Sequence, residues 1–298
     1  MKNVLVAGAT GYLGKYVAKE FKEQGYWVRA LARKQSLHKL EESGPFLEPA
    51  VREYIDEVFV GEVTKPRTLH GLCDGIDIIF SSIGITRQRD GVGFMDVDYQ
   101  GNKNILDIAL KASVRKFIFI SVFNAHLLEQ KVGVVNPREL FVKDLVASGL
   151  DYAVIRPTGF FSDMREVLRM ASSGRVYLVG DGEKRINPIH GADLAKVCVE
   201  ALGGKEREIP VGGPVAYTHT EIANLAFSVL GKPAKITRIP SWLINLVVKM
   251  IRPFSKHYYM LAAFFVIVMQ MDFDAPKAGT HTLKEFYEEI APRLSRRK

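Results

Sequence analysis

The stretch GATGYLG, positions 8–14, has the make-up of a site that could hold a ligand. Gly8, Gly11 and Gly14 recur at intervals of three, between the short apolar run 4–7 and an amphipathic segment. In such a turn Gly8 permits a sharp reversal. Gly11 lets backbone amides approach a phosphate with no Cβ in the way, and Gly14 lets the following helix pack closely on the preceding strand. Thr10 sits within the turn, and the amides of Tyr12 and Leu13 open a helix whose positive end faces an anion. The chemistry served is retention of a dinucleotide pyrophosphate. The alternative is a turn that only redirects the chain.

The next signal decides between dinucleotides. The segment WVRALARK ends in Ala32, Arg33 and Lys34, with no Asp or Glu between Trp27 and Lys34. A site built for NAD places an acid there to accept from the ribose 2′-hydroxyl. A basic pair suits a 2′-phosphate, which Arg33 can clamp through two donors. NADP(H) is therefore the expected cofactor, against the alternative of a solvated strand end.

Other chemistries find less support. The seven histidines form no HExxH and no pairing with Cys73 or Cys198, so no metal site is expected. No GxSxG is present for a hydrolase. The net charge of +8 is spread along the chain without zinc-finger spacing or an RNP-like motif, which argues against nucleic acid as partner. With 47% hydrophobic and 25% charged residues the composition is that of a globular protein, and two distant cysteines fit a reducing, cytoplasmic setting. The run 4–7 is too short for a signal peptide.

Around these motifs NVLVAGA, YWVRALAR, EVFVGEV, GIDIIFSSIG, VRKFIFIS and LDYAVIRP read as buried strands. Amphipathic stretches lie between them. In the first, Leu13, Val17 and Phe21 share a face, with Lys15, Lys19 and Lys22 directed elsewhere; in DYQGNKNILDIALKAS, Ile105, Ile108 and Ala109 form the stripe. This alternation implies an α/β, doubly wound parallel sheet, covered on both faces. After about residue 160 the rhythm becomes helical. INPIHGADLAKVCVEAL is a loop and helix, with Asp193 as a cap or loop anchor, and YTHTEIANLAFSVLG starts at Thr218 or Thr220 with Glu221 in its first turn. The expected organisation is a dinucleotide-binding core over 1–160 and a smaller, mainly helical lobe over 161–298, interleaved with the core. The segment SWLINLVVKMIRPFSKHYYMLAAFFVIVMQM, residues 241–271, leaves two readings open. One is a pair of helices lining an apolar substrate pocket; the other, over 242–271, is a face that dips into a bilayer, giving peripheral membrane association. A 14-residue apolar helix of about 21 Å is short of a hydrocarbon core of about 30 Å.

Taken together, these motifs resemble the atypical short-chain dehydrogenase/reductase group, particularly its NmrA-like and divinyl-reductase-like members. The resemblance covers nearly the whole chain. GATGYLG is similar to the group's glycine motif, and Arg33 to its NADP-selecting arginine. VGEVTKP resembles the segment that holds adenine, which implies roles for Glu62 and Val63, although the group more often has Asp where Glu62 stands. FSSIGIT implies that Ser82, Ile83 and Gly84 run along the cofactor ribose. LDYAVIRPTGFFSD resembles the strand and loop beside the nicotinamide, which implies Pro157, Thr158, Gly159 and Phe160.

The departure lies at the catalytic pair. Members of the group carry Tyr-x-x-x-Lys, in which Tyr moves the substrate proton and Lys holds the nicotinamide ribose. Aligned on SGLDY, the lysine position is Arg138 and the tyrosine position Val134. Asn136, Pro137 and Glu139 read as N-cap, N1 and N3 of a helix with capping-box character, so Val134 precedes that helix. Arg138 can bind ribose hydroxyls or phosphate but cannot act as a base at neutral pH. Ser121 and Asn124 are the candidates to polarise a substrate carbonyl, with Tyr99 and His126 further from the expected position. The resulting expectation is an NADP(H)-dependent reductase of a hydrophobic carbonyl-bearing or conjugated molecule, with Phe160 and Phe161 shaping the pocket. The competing expectation is a non-catalytic NADPH-binding redox sensor or assembly factor.

Overall fold

A computed structural model of the protein describes residues 2–85, 92–128 and 135–295. It divides into two compact units. The first holds the described residues of Met1–Gln130, Val135–Arg156 and Leu194–Ile209; the second holds Pro157–Asp193 and the described residues of Pro210–Lys298.

The elements run β1 (Asn3–Ala7), α1 (Tyr12–Glu23), β2 (Trp27–Ala32), α2 (His38–Glu41), β3 (Glu57–Val60), β4 (Ile78–Ser81), α3 (Asn102–Ala109), β5 (Lys116–Ile120), α4 (Ala125–Leu128), α5 (Asn136–Ala147) and β6 (Asp151–Pro157). They continue with α6 (Phe161–Ser172), β7 (Val176–Val179), β8 (Arg185–Ile186), α7 (Gly191–Glu200), β9 (Glu208–Val211), β10 (Tyr217–Thr218), α8 (His219–Val229), β11 (Ile236–Ile239), α9 (Ser241–Ile251), α10 (Lys256–Val268) and α11 (Leu283–Ser295).

The main sheet has the order β3-β2-β1-β4-β5-β6-β9. β1 pairs in parallel with both β2 and β4, and the pairings β2–β3, β4–β5 and β5–β6 are parallel as well. The strand order therefore reverses between β1 and β4, at the crevice outside the carboxyl ends of these strands. That is the place where doubly wound sheets bind ligands. The fold is the Rossmann-type sheet that the alternating pattern implied.

Continuous apolar runs form these strands because both faces are covered: β1, β4 and β5 are buried almost throughout. One face of the core gathers Leu5, Ile79, Phe117, Phe119, Phe141 and Val154. Phe119 and Phe141 meet edge to face with centroids 4.7 Å apart.

Three local details differ from the sequence reading. In α1, Leu13, Val17 and Phe21 are buried as their spacing requires, but Lys15 is buried too, its ammonium donating to the Glu42 carbonyl. In α3 the buried stripe is Ile105, Leu106 and Ala109, with Ile108 only partly covered. The phase is set by Asn102, which is buried and donates to the carbonyls of Asp98 (2.8 Å) and Ile83 (3.3 Å), just after a π-helical turn at Met95–Gly101. In α5 the capping box does not form. The N-cap is Val135, Asn136 is already helical, and Glu139 turns inward to an ion pair described below.

In the second unit β7 pairs in parallel with β11, and β8 antiparallel with β10. Helices dominate the rest, with Phe161, Leu168, Ile222, Phe227, Phe286 and Ile290 in its interior. Thr218 caps α8 in a complete capping box: Glu221 N donates to its hydroxyl at 3.0 Å, and Thr218 N donates to the Glu221 carboxylate at 2.7 Å. Among the described residues no helix is long and apolar enough to cross a membrane.

Candidate functional site

The carboxyl edge of the first unit's sheet brings together the loops after β1, β2, β3, β4 and β5. The loop after β1 is the glycine turn. Gly8 has φ +100°, a conformation L side chains rarely adopt, and a Cβ there would lie 2.7 Å from Ser82 Oγ in the loop after β4. Gly11 N donates to Gly8 O at 2.9 Å, which closes the turn. A Cβ on Gly14 would stand 2.5 Å from the Gly8 carbonyl carbon, and closer still to its oxygen, so α1 can pack here only without one.

Gly11 is different. Its φ of −90° suits any residue, and its Cβ would meet only Gly8 O, at 3.3 Å. The fold alone therefore asks little of glycine at this position. Gly11 is exposed, it is the N-cap of α1 without a side-chain cap, and no acid stands in that helix's first turn. The open space in front of Gly11, with the Tyr12 and Leu13 amides behind it, is a cradle that a Cβ would fill and a phosphate fits.

Arg33 and Lys34 follow β2 and are exposed. The Arg33 guanidinium makes no hydrogen bond or ion pair among the described residues, which leaves its donors free for an anion. Glu62, after β3, is held by Lys65 at 2.8 Å and receives the Thr64 hydroxyl at 3.3 Å. The hydrogen bond from Lys65 leads in keeping its carboxyl below the usual range, with a smaller contribution from Arg33. Val63 is fixed through its carbonyl, which accepts from Asn104 at 2.7 Å.

The loop after β4 carries Ser82, Ile83 and Gly84. Ile83 N donates to the Ser81 hydroxyl at 3.3 Å, and Ile85 N, two residues on, donates to Asp98 at 3.0 Å. Asp98 is fully buried and pairs with Arg138 Nε at 2.9 Å. Burial raises the Asp98 carboxyl's pKa and the Arg138 charge opposes that rise. A Cβ on Gly84 would overlap Arg138 Nη2 and lie 2.7 Å from Asp98 Oδ1, so this glycine makes room for the guanidinium. Arg138 thus lies against the segment expected to run along the ribose, while Val134 lies outside the described residues.

The two remaining candidates part company. Ser121 is 2% exposed and donates to Glu139, while Arg156 Nη1 donates to its oxygen at 3.2 Å. Arg156 also grips Glu139 through two hydrogen bonds, of 2.9 and 3.0 Å, and Glu208 through its Nε. The Ser121 proton is committed to this network, which corrects the expectation that it polarises a substrate carbonyl. Asn124 has φ +53°, the left-handed region that asparagine tolerates better than most residues. It is half-buried, and its side-chain amide makes no hydrogen bond among the described residues. Tyr99 donates to Asp144 at 3.0 Å, and this bond raises its pKa, which unsuits it as an acid. His126 is exposed.

Pro157, Thr158, Gly159 and Phe160 lie in the second unit. Thr158 N donates to Val211 O at 3.1 Å, its hydroxyl donates to Asn187 O at 2.6 Å, and Gly159 O accepts from Ile189 N at 2.9 Å. Phe160 is the N-cap of α6, and Phe161 is buried beside His190 and Phe286 rather than lining a pocket. Asp193, in the first turn of α7, anchors the loop before α11 by accepting from Thr280 N and His281 N, both at 3.0 Å.

Sequence reasoning missed Asp98 and Arg156, and it read Glu139 only as a helix cap. A signal was present for Arg156, since an arginine inside the apolar strand segment DYAVIRP requires a buried acid as partner.

Comparison with known proteins agrees with this geometry. Residues 8–205 match the NAD(P)H-binding family. The divinyl chlorophyllide a 8-vinyl-reductase of Arabidopsis thaliana is 26% identical over 97% of this chain and 76% of its own length. The photosystem II assembly factor Ycf39 of Cyanophora paradoxa is 28% identical over 82% of this chain and 74% of its own. Among solved structures, an NADPH-dependent quinone oxidoreductase from Escherichia coli, complexed with NADPH, superposes with a TM-score of 0.72 at 17% identity, covering 98% of this chain and all of that one.

Proposed function

We propose, for a chain that belongs to the NAD(P)H-binding family, that it is an NADPH-dependent reductase of a hydrophobic carbonyl-bearing or conjugated molecule. The observation that carries the reading is an open glycine cradle at Gly11 on the same sheet edge as an unpaired Arg33. The kinship with a vinyl reductase over nearly the whole chain supports the reductive chemistry.

When bound, NADPH supplies a hydride; the remaining work falls to the chain. The Tyr12 and Leu13 amides neutralise the pyrophosphate at the start of α1. Arg33 and Lys34 receive the 2′-phosphate. Glu62 and Val63 border the adenine, with Val63 steadied by Asn104. Ser82, Ile83 and Gly84 follow the ribose, and Arg138, aimed by Asp98, donates to its hydroxyls in place of the usual lysine. Asn124 donates its free amide to the substrate carbonyl oxygen as charge builds there, and water delivers the proton.

The test is NADPH oxidation against a panel of apolar enones and aldehydes, repeated with Asn124→Gly. Glycine keeps the left-handed backbone and removes only the amide. The expected outcome is turnover in the wild type and a kcat lower by about tenfold to a hundredfold in the variant, at unchanged NADPH affinity. Tight NADPH binding with no turnover across the panel favours a second reading, a non-catalytic NADPH-binding redox sensor or assembly factor. The specific observation behind that reading is that the residue at the lysine position, Arg138, is held in an ion pair with Asp98. One relative being an assembly factor agrees with it.

A further inference from the structure

Helices α9 and α10 of the second unit expose what helices ordinarily bury. In α9 Val248 is buried, whereas Trp242 is 70%, Leu246 51% and Met250 63% exposed. These three recur every four residues and so lie along one stripe. The stripe continues through Phe254 in the connecting turn, 88% exposed, to Tyr258 on α10, 67% exposed. Single exposed apolar residues are common on proteins. A contiguous run of large ones marks a surface that meets something else.

The charges say what. From Pro240 to Met271 there is no Asp or Glu, in a chain that has 33 acids in 298 residues. The stretch does contain Lys249, Arg252 and Lys256. Lys249 and Arg252 are exposed, and the Arg252 guanidinium sits 5.9 Å from the centre of the Tyr259 ring. An apolar stripe with Trp and Tyr at its ends and cations alongside has the composition of a helix lying in a lipid headgroup region. Lysine is depleted at protein–protein contacts. A two-fold contact between copies of this face would also bring Lys249 and Arg252 towards their own counterparts. Neither helix can span: with 11 and 13 residues they measure about 16 and 20 Å, against about 30 Å of hydrocarbon.

We propose that this face docks on an anionic bilayer surface. Trp242, Leu246, Met250 and Phe254 enter the interface, and Lys249 and Arg252 meet headgroup phosphates. The proposal rests on the second unit alone and stands or falls independently of the reductase reading.

The experiment uses the full chain with vesicles of phosphatidylcholine alone and of phosphatidylcholine mixed with phosphatidylglycerol. Flotation measures binding, and bromolipid quenching reports depth through Trp242, one of two tryptophans. The expected result is strong binding to the anionic vesicles, weakened by salt, with quenched tryptophan emission. Lys249→Glu with Arg252→Glu should weaken it by about tenfold or more. Trp242→Ser with Phe254→Ser should abolish it at an unchanged thermal midpoint. Wild-type protein that fails to float with either vesicle overturns the proposal. So does floating without quenching, or a concentration-dependent dimer that Trp242→Ser with Phe254→Ser dissolves.

Discussion

Replacing Gly11 and Gly14 by alanine, one at a time, separates what the fold requires from what a ligand requires. At Gly14 the new methyl would stand 2.5 Å from the Gly8 carbonyl carbon and 2.9 Å from Ala9 N. Both are backbone atoms, so α1 or the turn must move. Overpacking of this kind costs about 1–3 kcal/mol and more when backbone is displaced, and Gly14→Ala should lose at least that in urea denaturation. At Gly11 the methyl meets a single atom at 3.3 Å, and the φ of −90° already suits alanine. Restricting the unfolded chain then offsets the mild crowding, and stability should stay within about 1 kcal/mol of wild type, with either sign. The same methyl fills the space assigned to the pyrophosphate. NADPH affinity should therefore fall by about a hundredfold, equivalent to about 2.7 kcal/mol, in a protein as stable as the parent. Denaturation curves and NADPH titrations on the two variants suffice as the assay. If Gly11→Ala binds NADPH as tightly as wild type, the cradle is not the phosphate site. If Gly14→Ala is as stable as wild type, the packing argument itself is wrong.

Ser121→Ala should cost about 1 kcal/mol of stability while leaving the NADPH affinity unchanged, because its proton serves Glu139. Glu139→Ala should cost about 2 kcal/mol, since it removes two charge-assisted hydrogen bonds from the Arg156 guanidinium, which keeps Glu208 as its remaining ion-pair partner. Burial, helped by the neighbouring His281, holds the His190 imidazole down to about 4 from the ordinary 6.5. The unfolded chain therefore takes up a proton that the folded one refuses as pH drops from about 6.5 towards 4, and stability is lost across that window. Wild type should lose about 2 kcal/mol from this group between pH 7 and pH 5, and His190→Phe should flatten that slope. An identical slope in urea titrations of the two proteins would contradict the assignment. His219, also depressed by burial, contributes in the same direction in both.

Much of the first unit's architecture was legible because it rests on local signals. Buried runs such as FIFI and IIFS announce strands covered on both faces, and a glycine triplet between strand and helix announces the turn. The exposed place of Arg33 and Lys34 just after β2 was legible for a similar reason, since a strand end with a basic pair and no acid is a local pattern. What stayed hidden depends on partners far along the chain. Glu139 carries the signature of a capping box in NPRE, yet the buried Arg156 guanidinium, 17 residues on, draws it inward. Asp98 and Arg138 are 40 residues apart, and only the sheet edge brings them together. The phase of α3 depends on Asn102 reaching the Asp98 and Ile83 carbonyls beside a π-helical turn, which apolar periodicity does not register. Lys15 reads as a surface lysine until the Glu42 carbonyl is seen above it.

The most direct measurement is equilibrium binding of NADPH and NADH to the wild type and to Arg33→Gln. Arg33 is exposed and makes no hydrogen bond or ion pair among the described residues, so its removal leaves the fold intact. The account predicts that wild type prefers NADPH, and that the variant loses about tenfold to a hundredfold in NADPH affinity with NADH affinity unchanged, the value of one or two charge-assisted hydrogen bonds to phosphate. Equal affinity of the wild type for the two nucleotides, or an Arg33→Gln protein that still prefers NADPH, would contradict it.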